Sequence, residues 1–384
     1  MKNTVQKRQH GFTLIELLFS ITILLIVMAL VTNMIINTTK TQDRLRMENQ
    51  MRQTLQTGLF RIAAQLNQNR MLVQADALGY DYLTHVNLSG SPPIIGGSLP
   101  TSSGVTNQTL LPTIRPEGSL SPEKNCTDYP TNFFRANAVG NILMFAKYTG
   151  KFNRFSMAAI TEKRSLDVYE FKLYYITDDA NQPEKSPIDF WNNTPSKRRL
   201  RLIEWTSRPY VDYAQFLDYI TDSSPANRTI IRSDLTSAGI SFAFNRSAST
   251  YATAFYTMGS LASVPADASH MIQRSRIKDM FLFGTQSFSI AYNKNDNTAS
   301  ANYFPIRQQV PFFYDHAPPA CNGAVPAPNT TPNSSTTAFP YGFEVMITGP
   351  ASGRNVLMRV SSVARSYNSF VSHADMLTTY ARDL

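Results

Sequence analysis

Proline is missing until Pro92, glycine is missing from Phe12 to Thr57, and charge is missing from Leu17 to Thr39. With neither proline nor glycine, nothing in the backbone forces an early helix to end. With no charge, the run from Leu17 can lie in hydrocarbon without an ionic cost. At 1.5 Å per residue it reaches roughly 30 Å, the thickness of a bilayer core. Cysteine is reduced to Cys126 and Cys321, which allows one disulfide or two buried thiols. The five histidines, His10, His85, His270, His316 and His373, include no pair at metal-ligand spacing. There is no phosphate-binding glycine loop, no dinucleotide glycine pattern and no nucleophile elbow. Asp178–Asn181 and Asn293–Asn297 are oxygen-rich, but they lack the order and glycine of a calcium loop and read as turns. The composition therefore points away from catalysis, cofactors and metals.

What remains is a chain of 384 residues, 42% hydrophobic and 16% charged. That is enough to bury a large core. The net charge is +9, and Lys2, Lys7 and Arg8 supply three of the positive charges ahead of the apolar run. The remainder reads as dispersed surface charge. No nucleic-acid module is present, so nucleic acid is not an expected partner.

Three readings compete for the N-terminus. A secretory signal peptide needs a small-x-small cleavage site after a shorter apolar core, and none follows Val31. A plain membrane anchor explains the length, and the basic residues before it predict a cytoplasmic N-terminus. It does not explain Glu16, because a carboxylate at the edge of a membrane helix is costly and usually marks a partner or a function. The third reading rests on Gly11-Phe12-Thr13-Leu14-Ile15-Glu16 after a basic leader and before an apolar helix. This stretch resembles the processing motif of the type IV prepilin and pseudopilin superfamily.

The resemblance implies cleavage between Gly11 and Phe12 by prepilin peptidase, with N-methylation of the new terminus at Phe12. It also implies that Glu16 of one subunit pairs with the Phe12 amine of a neighbour. An α-amine titrates near 8 and a methylated one stays cationic. Burying such a pair fixes axial register more than it adds stability. The expected partners are the peptidase/methylase, minor and major pilins, and the inner-membrane assembly platform. The expected location is the bacterial inner membrane, single-pass with a periplasmic body, and then a pilus or pseudopilus. An oxidising periplasm would favour a Cys126–Cys321 bridge, which by loop entropy is worth up to about 5 kcal/mol.

Past Lys40 the helix pattern turns amphipathic. Leu55, Leu59, Ile62 and Leu66 fall on one face. The absence of breakers predicts one helix from about Phe12 to about Leu72. The expected divisions are a leader at 1–11, a membrane half-helix at 12–36, an amphipathic half-helix at 37–72 and a β-rich body at 73–384. Long loops are expected at 87–125 and 316–340. Strands are expected at Asn141–Tyr148, Asp167–Thr177 and Arg198–Thr206, the first two paired. A short helix is expected at Tyr210–Ile220, and a C-terminal hairpin from Phe343–Thr348 and Val356–Val363. Ala238–Asn245 and Thr285–Asn293 echo one another weakly. Tyr80, Tyr82, Phe312, Phe313 and Tyr314 are aromatic loop residues, for which ordinary packing is the simpler reading.

The fold expected is α+β and pilin-like, one long N-terminal helix packed on a large antiparallel β domain. Its size resembles the PilW-like minor pilins and, more distantly, the large J-type pseudopilins. Many major pilins carry a proline in the membrane helix, and this chain does not. The expected role is initiation or capping of a type IV pilus. A pseudopilin of a protein or polysaccharide secretion machine and a tip adhesin are the alternatives.

Overall fold

A computed structural model describes residues 13–92, 94, 111–112, 114–115, 140–157, 163–178, 200–259, 272–280, 288–290, 292–293, 305–306, 342–350, 352–366 and 369–382. The expected sites Gly11, Phe12, Cys126 and Cys321 lie outside them, as do Phe312, Phe313, Tyr314 and most of the two long loops.

The helix α1 runs Leu14–Leu66 without interruption. It stops six residues short of the expected Leu72. Asn67 caps it, its N–H donating to the carbonyls of Ala63 and Gln65. Asn69 then leaves the helix. Its Oδ1 accepts from Met71 N–H and its Nδ2 donates to the Arg382 carbonyl. Short polar side chains of this kind compete for backbone hydrogen bonds and favour turns over helix. Asn69–Val73 is accordingly a strand, β1.

The chain continues with α2 (Ala77–Thr84), β2 (Ile114–Arg115), β3 (Leu143–Phe152), β4 (Leu166–Asp178), β5 (Leu200–Ser207), β6 (Tyr210–Asp212), α3 (Tyr213–Asp222), α4 (Pro225–Ser237), β7 (Phe242–Phe244) and β8 (Phe255–Thr257). It ends with β9 (Arg274–Asp279), β10 (Phe288–Ile290), β11 (Tyr292–Asn293), β12 (Pro305–Ile306), β13 (Phe343–Thr348), β14 (Arg354–Ser366) and β15 (Ser369–Ala381).

The strands form an eight-stranded sheet, a five-stranded sheet and the small parallel pair β11–β12. In the large sheet β3 and β4 pair antiparallel, as the alternation in their sequences predicts. β5 and β6 lie one after the other along the far side of β4. Pro209 sits between them. A proline cannot donate to the ladder and is tolerated where the pairing is broken. Ser207 repairs the break, its hydroxyl accepting from Phe171 N–H at 2.8 Å and donating to the Arg208 carbonyl. β6 and β7 are parallel neighbours, so they need a crossover, and α3 and α4 supply it. In the five-stranded sheet the expected hairpin β13–β14 is present, and β15 extends it along the whole length of β14. The two echoing segments contribute β7 and β10 to different sheets with different partners, so they are not structural repeats.

One core joins α1 to both sheets. Met51, Leu55, Leu59, Ile62 and Leu66 are buried against Leu143, Phe145, Tyr174 and Leu202 of one sheet and Val345, Met358 and Val360 of the other. The spacing read from the sequence is the face that packs. Each such side chain contributes about 2 kcal/mol by burial. Behind the large sheet a second core gathers Tyr82 of α2 with Phe171, Phe244, Tyr251 and Phe255. Tyr82 therefore packs internally and is not a contact surface. A third core seats α3 and α4 on Val168, Val211 and Ala243.

Candidate assembly site

The start of α1 is built by two side chains. Thr13 is the N-cap, and its hydroxyl accepts from Glu16 N–H while Glu16 Oε2 accepts from Thr13 N–H at 3.0 Å and from Thr13 Oγ1 at 2.9 Å. This reciprocal pairing satisfies donors that a helix start leaves open, and the carboxylate complements the positive end of the helix dipole. Both contacts fall on Oε2, so Oε1 takes no hydrogen bond from the described residues. Glu16 is thus a helix cap within its own chain, made through one of its two carboxylate oxygens.

From Leu14 to Ile36 the large apolar side chains are exposed all round, among them Leu18, Phe19, Leu25, Met34 and Ile35. No described residue packs on them. A helix apolar on every side needs lipid or other helices around it, and this one is long and apolar enough to cross a membrane. Its hydroxyls fit that setting. Ser20 and Thr22 donate to the carbonyls of Glu16 and Leu18, each at 2.8 Å, so neither carries an open donor into an apolar environment.

The join between this helix and the body includes a buried polar group, and the sequence did not announce it. Glu204 of β5 is fully buried. Its Oε2 lies 2.8 Å from Arg61 Nη2 and accepts from Gln65 Nε2 at 3.3 Å, both on α1. Its Oε1 lies 3.4 Å from Lys172 Nζ and 3.8 Å from Arg276 Nη2. Lys172 also donates to Thr206 Oγ1 at 2.8 Å and lies 3.7 Å from Glu170. Burial pushes the Lys172 ammonium below its usual pKa, while Glu204 and Glu170 pull it back up. The group reads as a positional lock, because each buried charge is compensated in one geometry only. Among the described residues, no cluster of histidine, cysteine or carboxylate side chains could hold a metal.

Residues 6–32 match the family model described as the prokaryotic N-terminal methylation motif. No curated protein and no solved structure matches the chain. The matched segment covers the Gly11–Glu16 motif and most of the exposed helix, and it supports a type IV pilin-like chain that prepilin peptidase processes and a membrane holds.

Proposed function

We propose that the chain is a minor pilin of PilW type, which enters an initiating or tip complex of a type IV pilus. The observation that carries this reading is the uncovered apolar half of α1, headed by Glu16 and joined rigidly to a large body. Such a helix is a poor solitary element and a good member of a bundle of its own kind. Within the bundle Glu16 keeps its cap through Oε2 and offers Oε1 to the methylated amine of a neighbour's Phe12. In low dielectric an unpaired charge is penalised, so subunits slide until the two meet, which sets their axial step.

The large body and the proline-free helix favour a subunit used once or a few times over the repeated shaft. The chemistry is assembly rather than turnover. A pseudopilin of a secretion machine shares every feature of this argument, and the machine that the purified filament tip belongs to separates the two.

Intact mass and N-terminal analysis of membrane-extracted protein test the class. The expected mature chain begins at methylated Phe12, and retention of Met1 to Gly11 in a peptidase-competent cell overturns the reading. Glu16→Ala is expected to leave the chain folded and membrane-bound but absent from sheared filaments. Filament entry at the wild-type level removes the pairing role. Quantitative mass spectrometry should find far fewer copies than of the shaft subunit.

A further inference from the structure

We propose that Lys40, Arg44 and Arg46 form a basic collar that binds the headgroups of acidic phospholipids on the body side of the membrane. The three follow directly on the uncharged run, and all are exposed on α1. From Leu17 to Thr39 that run rises roughly 35 Å, which fills a hydrocarbon core of about 30 Å and ends at the headgroup layer. Lys40 therefore stands at the level of the phosphates, and Arg44 and Arg46 stand about 6 and 9 Å above it. Helical side chains lean toward the helix N-terminus, so both arginines reach back toward the membrane.

The body does not use these cations. Met47 is the first residue of α1 that packs on the core, and Met51 is the first that is buried. Arg61, Arg164, Arg201, Arg246, Arg276 and Arg359 each place a guanidinium nitrogen within 3.8 Å of a carboxylate oxygen. Lys40, Arg44 and Arg46 have no such ion pair among the described residues. Asp43 is the one acid from Leu17 to Met47, which leaves two positive charges in excess there.

Two further observations select lipid over a protein partner. Arg44 and Arg46 project about 200° apart around the helix, and Lys40 lies about 40° from Arg44. A neighbouring subunit meets one side of a helix, whereas headgroups surround it. The charge distribution also runs against the usual one, in which basic residues gather on the cytoplasmic side. Lys2, Lys7 and Arg8 precede the Gly11–Phe12 bond and leave with the leader, and Phe12–Thr39 holds no lysine or arginine. The processed chain thus keeps its basic flank on the body side alone, where acidic headgroups offset it.

The inference rests on the reading of the chain as processed and membrane-held. Its test is native mass spectrometry of the full chain released from mixed micelles that hold equal amounts of phosphatidylglycerol and phosphatidylcholine. Retained phosphatidylglycerol should exceed phosphatidylcholine by about fivefold for each cation in contact, and added salt should lower the ratio. Changing all three residues to glutamine should bring the ratio near parity at an unchanged unfolding midpoint. Lys40→Arg combined with Arg44→Lys and Arg46→Lys should keep it. Arg52→Gln, at an exposed cation beyond Met47 and above the headgroup layer, should leave it unchanged. Equal retention of the two lipids by the unaltered chain overturns the collar. So does a preference that survives the triple glutamine variant, and a loss of copurifying pilin-like subunits in that variant would then assign the cations to a protein contact. Carbonate extraction keeps the two readings apart. A chain that stays with the membrane but shows no lipid preference refutes the collar alone, whereas a chain that washes off refutes the membrane reading.

Discussion

Arg61 Nη2 of the long helix lies 2.8 Å from Glu204 Oε2 of β5, and Glu204 is fully buried beneath it. Lys172 and Arg276 approach the other oxygen of the same carboxylate. Removing the acid would leave the buried Lys172 ammonium facing Arg61 and Arg276 with only Glu170, at 3.7 Å, to offset it. Glu204→Ala is therefore expected to destabilise the body by about 3–5 kcal/mol. Arg61→Ala should cost only about 1 kcal/mol, since Arg61 is partly exposed and Glu204 keeps two other cations. Denaturant unfolding of the detergent-solubilised full chain checks the ranking. An equal loss for the two variants would mean that the helix contact, not the buried acid, dominates.

The elements legible in the sequence are those whose partners are written locally. The Leu55, Leu59, Ile62 and Leu66 spacing gave the packed face of α1, and the alternation in β3, β4 and β5 gave the centre of the large sheet. The Glu204 cluster was not legible, because its members come from α1, β4, β5 and β9 and meet only once the sheet has formed. β15 was missed for another reason. Its odd residues face α1 and its even residues are exposed, so His373, Asp375 and Thr379 fill positions that a strand pattern expects to be apolar. α4 was missed although Ser224 followed by Pro225 is a helix-start signal. Its Ser224 Oγ accepts from Asn227 N–H, as such a cap should. The start of α1 was read as a processing motif, and its second role as a capping box required the structure.

Two adjacent residues of α1 separate packing from helix propensity. Leu59 is fully packed between the sheets, while Phe60 is 60% exposed. Leu59→Ala is expected to cost about 2–5 kcal/mol through lost burial and a cavity. Phe60→Ala should stay within about 0.5 kcal/mol of wild type. If both variants unfold at the wild-type denaturant midpoint, α1 does not share the core of the body.

Gly79 lies in the first turn of the short helix α2, against crowded backbone. A Cβ there would lie 1.9 Å from the Gln74 carbonyl oxygen. Gly79 N–H also donates to Asp76 Oδ1 at 2.7 Å, the cap of α2. Because the obstacle is backbone rather than a flexible side chain, it cannot rotate away. Gly79→Ala is expected to shift α2 and cost about 1–3 kcal/mol. Tyr82, one turn further on, would lose its seat against Phe171, so near-ultraviolet circular dichroism should report the change. Wild-type spectra and an unchanged unfolding midpoint would show that the loop before α2 relaxes freely.

Six buried tyrosines predict how the body fails in alkali. Burial raises the pKa of Tyr169 to about 12 and pushes Tyr82, Tyr174, Tyr175, Tyr210 and Tyr251 higher still. In the unfolded chain each phenol ionises near 10. A raised folded value means that the unfolded chain binds fewer protons between the two values, so stability falls as pH rises through that window. The stabilising contribution is complete below about pH 10 and is lost progressively above it. Lys172 acts in the opposite sense. Its lowered folded value means that stability rises with pH between that value and the unfolded one, but it is one group against six. Three of these rings share one cluster, Tyr82 touching Tyr251 at 5.4 Å and both Tyr210 and Tyr251 touching Phe255, at 5.2 and 5.3 Å. Opening the cluster for one phenolate therefore exposes the next, and the transition should be cooperative. Tyrosinate absorbance and circular dichroism should change together in a single step above about pH 10. Gradual tyrosine ionisation at constant secondary structure would mean that the cluster is open to hydroxide in the folded state. Tyr82→Phe removes one ionising group and keeps the ring, so it should move the step to higher pH.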